Sequence, residues 1–161
     1  TGEYQYYVGS HNVVLKDNAD ILYWRMFNKY LKDKIPPDLV FFYEVAGCGV
    51  QKNFNYGWNK EPFIKVFAIS YNCEYLSISE VIHICKKYDI SCVKFHNLVY
   101  TEIDELQTIA DSESEITTEH IREGIVVISA QKPNNMAKIL GFQYLSGKNK
   151  DGKSIKTTER H

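Results

Sequence analysis

The stretch from Phe41 to Gly57, FFYEVAGCGVQKNFNYG, decides how the rest of the chain is interpreted. The apolar, aromatic run from Leu39 to Tyr43 favours a β-strand, and two prolines separate it from what precedes it. This strand ends in one carboxylate, Glu44. Gly47 and Gly49 then allow a tight turn and a close approach of the backbone to a ligand. Residue chemistry alone predicts a strand, an acid and a loop, which an ordinary turn explains equally well.

Segments with strand and helix patterns alternate along the rest of the chain. Short apolar runs predict strands at Tyr4–Val8, Val13–Leu15, Phe63–Ser70, Ile90–Phe95 and Ile125–Ile128. Helical spacing predicts helices at Ile21–Leu31 with Asp20 as N-cap, at Ser77–Tyr88 with a capping box from Ser77 to Glu80, and at Glu102–Ala110. Mixed helices and strands are compatible with an α+β fold but do not by themselves select one.

Two further segments carry charged groups at predicted strands. Ile121 to Ile128, IREGIVVI, is a charged turn that leads into a β-branched strand predicted to be buried. Glu123 lies at the mouth of this strand beside a glycine, where a carboxylate can reach a metal ion or its waters without steric conflict. Lys138 lies in the next strand candidate, within AKILGFQYL from Ala137 to Leu145.

These segments resemble, in their order, the motifs of one enzyme family. Glu-Val-Ala-Gly-Cys-Gly-Val-Gln, which begins at Glu44, resembles the third nucleotidyltransferase motif of the phage-type RNA ligase 2 family, Glu-x-x-Gly-x-Gly-x-Gln. Val66–Ile69 is similar to the motif IIIa strand, and Arg-Glu-Gly-Ile-Val-Val, from Arg122, to motif IV. Lys138 and the ending Thr158–His161 are similar to the motif V region. Each motif is loose alone, and the resemblance rests on their joint order.

The resemblance implies a fold and an activity. The implied fold is the α+β nucleotidyltransferase (adenylation) domain of the ligase and capping-enzyme superfamily, with antiparallel sheets and flanking helices, over residues 1–161. The implied activity is ATP- and Mg²⁺-dependent RNA ligation, which joins a 3′-hydroxyl to a 5′-phosphate through enzyme-AMP and RNA-adenylate intermediates. The implied partners are RNA ends, single-stranded or nicked.

The resemblance also assigns roles to particular residues. Glu44 and Glu123 would hold the ribose or Mg²⁺ and its waters, and Lys138 would hold the α-phosphate of the nucleotide. Phe67 would stack on the purine; without the resemblance it is a core aromatic. The remaining candidates would contact RNA or phosphate, and they are His11, Asn12 and Lys148.

The chain departs from the family pattern at several positions. His11 stands where the family has Arg, so the permanent charge and the fork geometry are lost. Ala68 replaces the usual Asp. Leu140 replaces the second motif V lysine, which leaves that contact missing or supplied by another residue such as Lys148.

The nucleophile motif, Lys-x-x-Gly, is not found between Thr1 and Ser10. Lys150-Asp151-Gly152 echoes it, but in a polar loop where a turn is the ordinary explanation. We therefore expect an N-terminally incomplete domain whose nucleophile precedes Thr1. We also expect that residues 1–161 alone do not form a lysyl-AMP.

Composition limits the other functions. With 161 residues and 44% hydrophobic content the chain can form one domain with a core. A net charge of -1 excludes polyanion binding through bulk positive charge, so an RNA site must be local. The acidic segment Asp111–Glu119 disfavours such contact. Four cysteines without Cys-x-x-Cys spacing, no secretory leader and no membrane-length apolar run predict an intracellular, cytoplasmic protein, of the cell or of an infecting virus.

Two alternatives remain open at this point. One is a non-catalytic nucleotide- or RNA-binding module of the same fold. The other is a different enzyme of the same superfamily, a DNA ligase or a capping guanylyltransferase. His83 and His96 are lone histidines among apolar neighbours, for which we expect structural roles.

Overall fold

The computed structural model describes residues 5–11, 13–50, 56, 58, 60–99, 102–117 and 120–147. In chain order the elements are β1 (Gly9–Ser10), β2 (Val13–Val14), α1 (Leu22–Tyr30), β3 (Leu39–Ala46), β4 (Phe63–Tyr71), β5 (Glu74–Tyr75), α2 (Ile78–Lys87), α3 (Ile103–Ala110), β6 (Gly124–Ile128), β7 (Met136–Leu140) and α4 (Phe142–Ser146). Helices and strands are interspersed, as in an α+β fold. In the described part of the chain, no helix has the length and apolar character needed to span a membrane.

The first of two compact units comprises the chain up to Val45 together with Phe63–Lys94. Its sheet has the strand order β3-β4-β5, and β4 runs antiparallel to β5. Ile64, Val66 and Ala68 are buried on one face of β4, the strand that both α1 and α2 contact. Because side chains alternate along a strand, Phe67 belongs to the opposite face.

Helix α2 begins at the predicted capping box. The Ser77 hydroxyl accepts a hydrogen bond from the Glu80 backbone N–H, and the Glu80 carboxylate accepts one from the Ser77 backbone N–H at 2.8 Å. The Ser77 hydroxyl also donates to this carboxylate at 2.6 Å. These hydrogen bonds lower the pKa of Glu80 and fix the start of the helix.

The second unit comprises Ala46–Pro62 and the chain from Phe95 onward. Its centre is the antiparallel pair β6 and β7, in which Val126 lies opposite Lys138. Helix α3 packs against both strands and buries Leu106 and Ala110. The Gly141 backbone N–H donates to the Glu123 carbonyl at 2.9 Å, which continues the ladder one pair beyond Gly124.

Four sequence predictions are corrected by these elements. The described residues of Tyr4–Val8 form no strand, and the first strand is β1 at Gly9 and Ser10, where the Leu15 N–H donates to the Val8 carbonyl and closes a hairpin. Asp20 is not the N-cap of α1: Ile21 is, and it makes no side-chain cap hydrogen bond. Strand β6 is half-buried, since Val126 is exposed.

The fourth correction concerns Ile90–Phe95, which forms no strand. An isolated parallel bridge pairs Cys92 with Val66, through hydrogen bonds from the Val66 N–H to the Ser91 carbonyl and from the Val93 N–H to the Val66 carbonyl. The predicted strand at Ile90–Phe95 is therefore wrong except for the single bridge between Cys92 and Val66. The predicted strand Phe63–Ser70 and the helix Glu102–Ala110 are confirmed as β4 and α3, within one residue.

Two buried groups of the first unit predict a loss of stability at alkaline pH. Burial, with a smaller effect of the neighbouring Cys92 thiol, raises the pKa of the Cys85 thiol to about 12. Burial, with a smaller effect of Tyr23, raises the pKa of the Tyr43 phenol to about 12. In the unfolded chain these groups titrate near pH 8.5 and about 10. Their contribution to stability is complete below those values and is lost as pH rises towards 12.

We therefore expect the free energy of unfolding, measured by urea titration, to fall steadily between about pH 8.5 and about pH 12. Tyr43→Phe should make the decline above about pH 10 shallower, because one titrating group is removed. Tyr71→Phe, at an exposed position, is the matched control and should follow the unaltered protein. A stability that stays constant over this range would contradict the prediction.

Candidate active site

Glu123 and Lys138 of the second unit form an ion pair. The Lys138 Nζ donates to Glu123 Oε1 at 2.5 Å, and the Tyr56 hydroxyl donates to the other oxygen, Oε2, at 3.0 Å. The Glu123 side chain is 12% exposed and the Lys138 side chain 46% exposed. The two residues that the resemblance assigns to motifs IV and V are therefore in direct contact, and the lysine is the more exposed of the two.

The β6–β7 pair holds this ion pair through its backbone. Glu123 immediately precedes β6, and Lys138 lies in the middle of β7. Gly124, the first residue of β6, lies against the backbone of Ile139 and Leu140. A Cβ at this position would overlap the Ile139 carbonyl oxygen. Glycine at this position is therefore a steric requirement of the strand pairing that brings Glu123 towards Lys138.

Tyr56 hydrogen-bonds the candidate residue Glu123, a contact that sequence reasoning missed. It lies in the polar stretch after Gly49, with a backbone φ of 56°, and its carbonyl accepts a hydrogen bond from the Thr117 hydroxyl at 2.5 Å. Tyr56 and Glu123 are 67 positions apart in the chain. No spacing rule links residues at that distance, so this contact had no signal in the sequence.

Glu44 and Phe67 lie in the first unit, on its β3-β4-β5 sheet. Glu44 is exposed and lies within β3 rather than at its end, because the strand continues to Ala46. Two positions before it, on the same face by strand alternation, Phe42 packs against Phe67 with ring centroids 6.3 Å apart. Tyr75 continues this aromatic row, 5.2 Å from Phe42. One sheet face therefore carries a carboxylate beside half-buried rings.

The other predicted contacts are distributed differently. His11 is exposed in the turn between β1 and β2, with a φ of 52°. Asn12, Lys148 and the ending Thr158–His161 lie outside the described residues. Leu140, at the place of the second motif V lysine, offers only its carbonyl, which accepts from the Gln107 side chain at 3.0 Å.

The two lone histidines differ in their surroundings. His83 is exposed on α2. The His96 Nε2 lies 2.7 Å from Glu115 Oε1, and the Arg122 guanidinium lies 3.9 Å from the same oxygen. His96 therefore makes a side-chain contact with Glu115, of the acidic segment, and Arg122 approaches the same carboxylate.

The carboxylates of the candidate site decide how a divalent metal ion would be held. No group of three or more His, Cys, Asp or Glu side chains that could hold a metal occurs among the residues with assigned structure. In nucleotide sites Mg²⁺ is typically held by one or two carboxylates together with phosphate oxygens and water. Glu123 fits a metal in that way, as one carboxylate that shares the ion with a phosphate.

Comparisons with known proteins show the fold. No protein-family model matches the chain, and no curated protein matches it. Solved structures of Naegleria gruberi RNA ligase do match. A mutant with ATP and Mn gives a TM-score of 0.69 at 18% identity, over 83% of this chain and 42% of the ligase chain. A mutant with AMP and Mn, and the ligase with PPi, each give 0.69 at 16% identity, over 87% of this chain and 47% of theirs.

The chain thus spans less than half the length of the ligase chains it matches. At identities of 16–18% the likeness is one of fold. The chain has an α+β fold like that of an RNA ligase.

Proposed function

We propose that the chain is the adenylate-handling part of an ATP-dependent RNA ligase that joins 3′-hydroxyl and 5′-phosphate ends. The observation that carries this proposal is the contact between Glu123 and Lys138, in a fold like that of an RNA ligase. The two residues were selected from sequence as the metal-binding acid and the phosphate-binding lysine. Their contact is the arrangement that a site for a metal-bound phosphate requires, with one cation and one carboxylate side by side.

The side chains differ in what they can do. The Lys138 side chain is nearly half exposed, so its ammonium group can leave Glu123 and donate to a phosphate oxygen without moving the backbone. Glu123 is almost covered and is held by Tyr56 when Lys138 turns to the ligand. The released carboxylate oxygen is then available to a metal ion or its waters. When bound, Mg²⁺ would screen the repelling phosphates.

The first unit supplies groups suited to a nucleoside. Phe67 and Phe42 offer ring faces, and a purine that stacks on an aromatic ring gains about 1–3 kcal/mol. Glu44 lies on the same face and accepts hydrogen bonds from ribose hydroxyls. His11 carries no role in this proposal.

The sealing step follows from these groups. The 3′-oxygen of the acceptor strand attacks the phosphorus of the adenylated 5′-phosphate, and the bond between that phosphorus and the AMP oxygen breaks. AMP leaves, and the hydroxyl proton passes to water. Lys138 stabilises the negative charge that develops on the phosphate oxygens. Glu123 orients the metal ion or its waters beside the same oxygens. No lysine nucleophile is needed in this step, because the AMP is already on the RNA.

Phe67→Leu tests the proposed nucleoside face. We expect it to weaken ATP binding about 5- to 100-fold, since a stacking ring is replaced by an aliphatic chain of similar polarity. The dissociation constant is measured by equilibrium dialysis in the presence of Mg²⁺. Phe142→Leu removes an exposed ring of α4 and is the matched control, with the affinity of the unaltered protein.

The outcomes separate the proposal from its alternatives. An equal ATP affinity in Phe67→Leu and Phe142→Leu would contradict the stacking role of Phe67 and favour its interpretation as a core aromatic. ATP binding that depends on Phe67, without sealing of adenylated RNA, would favour the non-catalytic nucleotide-binding module. Sealing of adenylated DNA in preference to RNA would favour a DNA ligase.

A further inference from the structure

Glu123 is held by two different kinds of partner. Lys138 is an exposed, flexible cation on Oε1, whereas Tyr56 is a neutral hydroxyl on Oε2. In the proposed function the cation is taken over by a phosphate, so that one of the two contacts is lost when the ligand binds. The orientation of Glu123 in the bound state must then come from Tyr56.

Tyr56 is itself fixed by its backbone. Its φ of 56° lies in the left-handed region, which is uncommon for a residue other than glycine. Its carbonyl accepts a hydrogen bond from the Thr117 hydroxyl, at 2.5 Å. The side chain of Thr117 thus holds the peptide that directs the phenol ring towards Glu123.

Thr117 lies between Glu113 and Ile121, which are paired with each other. Glu113 pairs with Ile121 in an antiparallel bridge, and the Ser114 N–H donates to the His120 carbonyl at 2.8 Å. The Arg122 guanidinium donates twice to the Glu113 carbonyl, at 2.7 and 3.0 Å. The residue next to Glu123 therefore anchors the segment whose Thr117 fixes Tyr56.

We infer that Tyr56 is a positioning residue for Glu123, and that Thr117 sets the conformation of Tyr56. This inference rests on the proposed function, because it concerns the bound state of that site. Residues that hydrogen-bond a metal-binding side chain orient it and raise its affinity, and their loss typically costs about 10- to 100-fold in metal affinity or activity. Tyr56 acts through Glu123 and does not itself need to touch the ligand.

The test uses Tyr56→Phe, which removes one hydroxyl and keeps the ring. We expect the Mg²⁺ concentration that half-saturates ATP binding to rise about 10- to 100-fold, with little change in ATP binding without metal. Thr117→Val should shift the Mg²⁺ requirement in the same direction by a smaller factor. A merely structural role of the hydroxyl would affect both measurements alike.

Matched controls exist for both variants. Tyr71→Phe removes the hydroxyl of an exposed tyrosine in β4. Thr108→Val removes a threonine hydroxyl that donates to the Asp104 carbonyl within α3, at 2.9 Å. Both controls should keep the Mg²⁺ requirement of the unaltered protein.

A double-mutant cycle completes the test. If Tyr56 acts through Glu123, Tyr56→Phe should change the Mg²⁺ requirement by less than about twofold when Glu123→Gln is already present. The same change in both backgrounds would overturn the inference, as would a Tyr56→Phe protein that behaves like Tyr71→Phe. Failure of the unaltered protein to bind ATP would instead overturn the proposed function.

Discussion

Replacing Lys138 with Met is expected to lower the rate of sealing of 5′-adenylated RNA by about 10²- to 10³-fold. Methionine keeps the length and the apolar stem of lysine, and it removes the charge that would offset the developing negative charge on the phosphate. Losing one preorganised donor to such a charge has a large effect on the chemical step, because the interaction is stronger in the transition state than in the ground state. The rate is measured under single turnover, from the ligated product on a denaturing gel.

The fold should survive this substitution. Lys138 is nearly half exposed, and Glu123 keeps the hydrogen bond from the Tyr56 hydroxyl when the lysine is replaced. Lys132→Met, at an exposed position between β6 and β7, is the matched control and should seal at the rate of the unaltered protein. Equal sealing rates for the two variants would remove Lys138 from the chemistry.

Replacing Gly124 with Ala is expected to destabilise the protein by about 3 kcal/mol. An added Cβ would overlap the Ile139 carbonyl oxygen and would lie 2.9 Å from the Leu140 Cα. Both neighbours belong to the backbone, so neither can rotate away, and relief requires β6 and β7 to separate. The urea midpoint should fall with little change in the slope of the transition.

Gly49→Ala separates this clash from the ordinary cost of replacing a glycine. An added Cβ there has no heavy atom of the described residues within 4 Å, but the φ of 79° is unfavourable for alanine. We expect a loss of about 1–2 kcal/mol, from the left-handed conformation alone. A Gly124→Ala protein no less stable than Gly49→Ala would contradict the steric role assigned to Gly124.

Local rules predicted the elements whose causes are local. The Ser77 to Glu80 capping box is a pattern of residues three positions apart, and both of its reciprocal hydrogen bonds form. The alternation in Phe63–Ser70 likewise predicted β4. The Asp20 cap prediction is wrong: Asp20 lies in a turn in which its backbone N–H donates to the Asn18 side chain, at 2.9 Å, and α1 begins after Ile21.

Contacts between residues far apart in the chain were harder to predict from the sequence. Glu123 and Lys138 were selected because their motifs follow one another in a family order, and in the structure their side chains are in contact. Tyr56 was missed because nothing in its neighbourhood marks it as a partner of Glu123. Ile90–Phe95 has the residues of a strand, but a strand also needs a neighbour along its length, and here the neighbour pairs at Val66 only.

The measurement that tests the account most directly is sealing of a 5′-adenylated RNA by the unaltered chain with Mg²⁺. The adenylated strand is offered with a 3′-hydroxyl acceptor, both as a nicked duplex and as free single strands, and the ligated product and the released AMP are quantified together. We predict that product and AMP appear in equal amounts, and that both are lost in Lys138→Met but not in Lys132→Met. An adenylated RNA that stays intact in the presence of a chain that binds ATP would contradict the account.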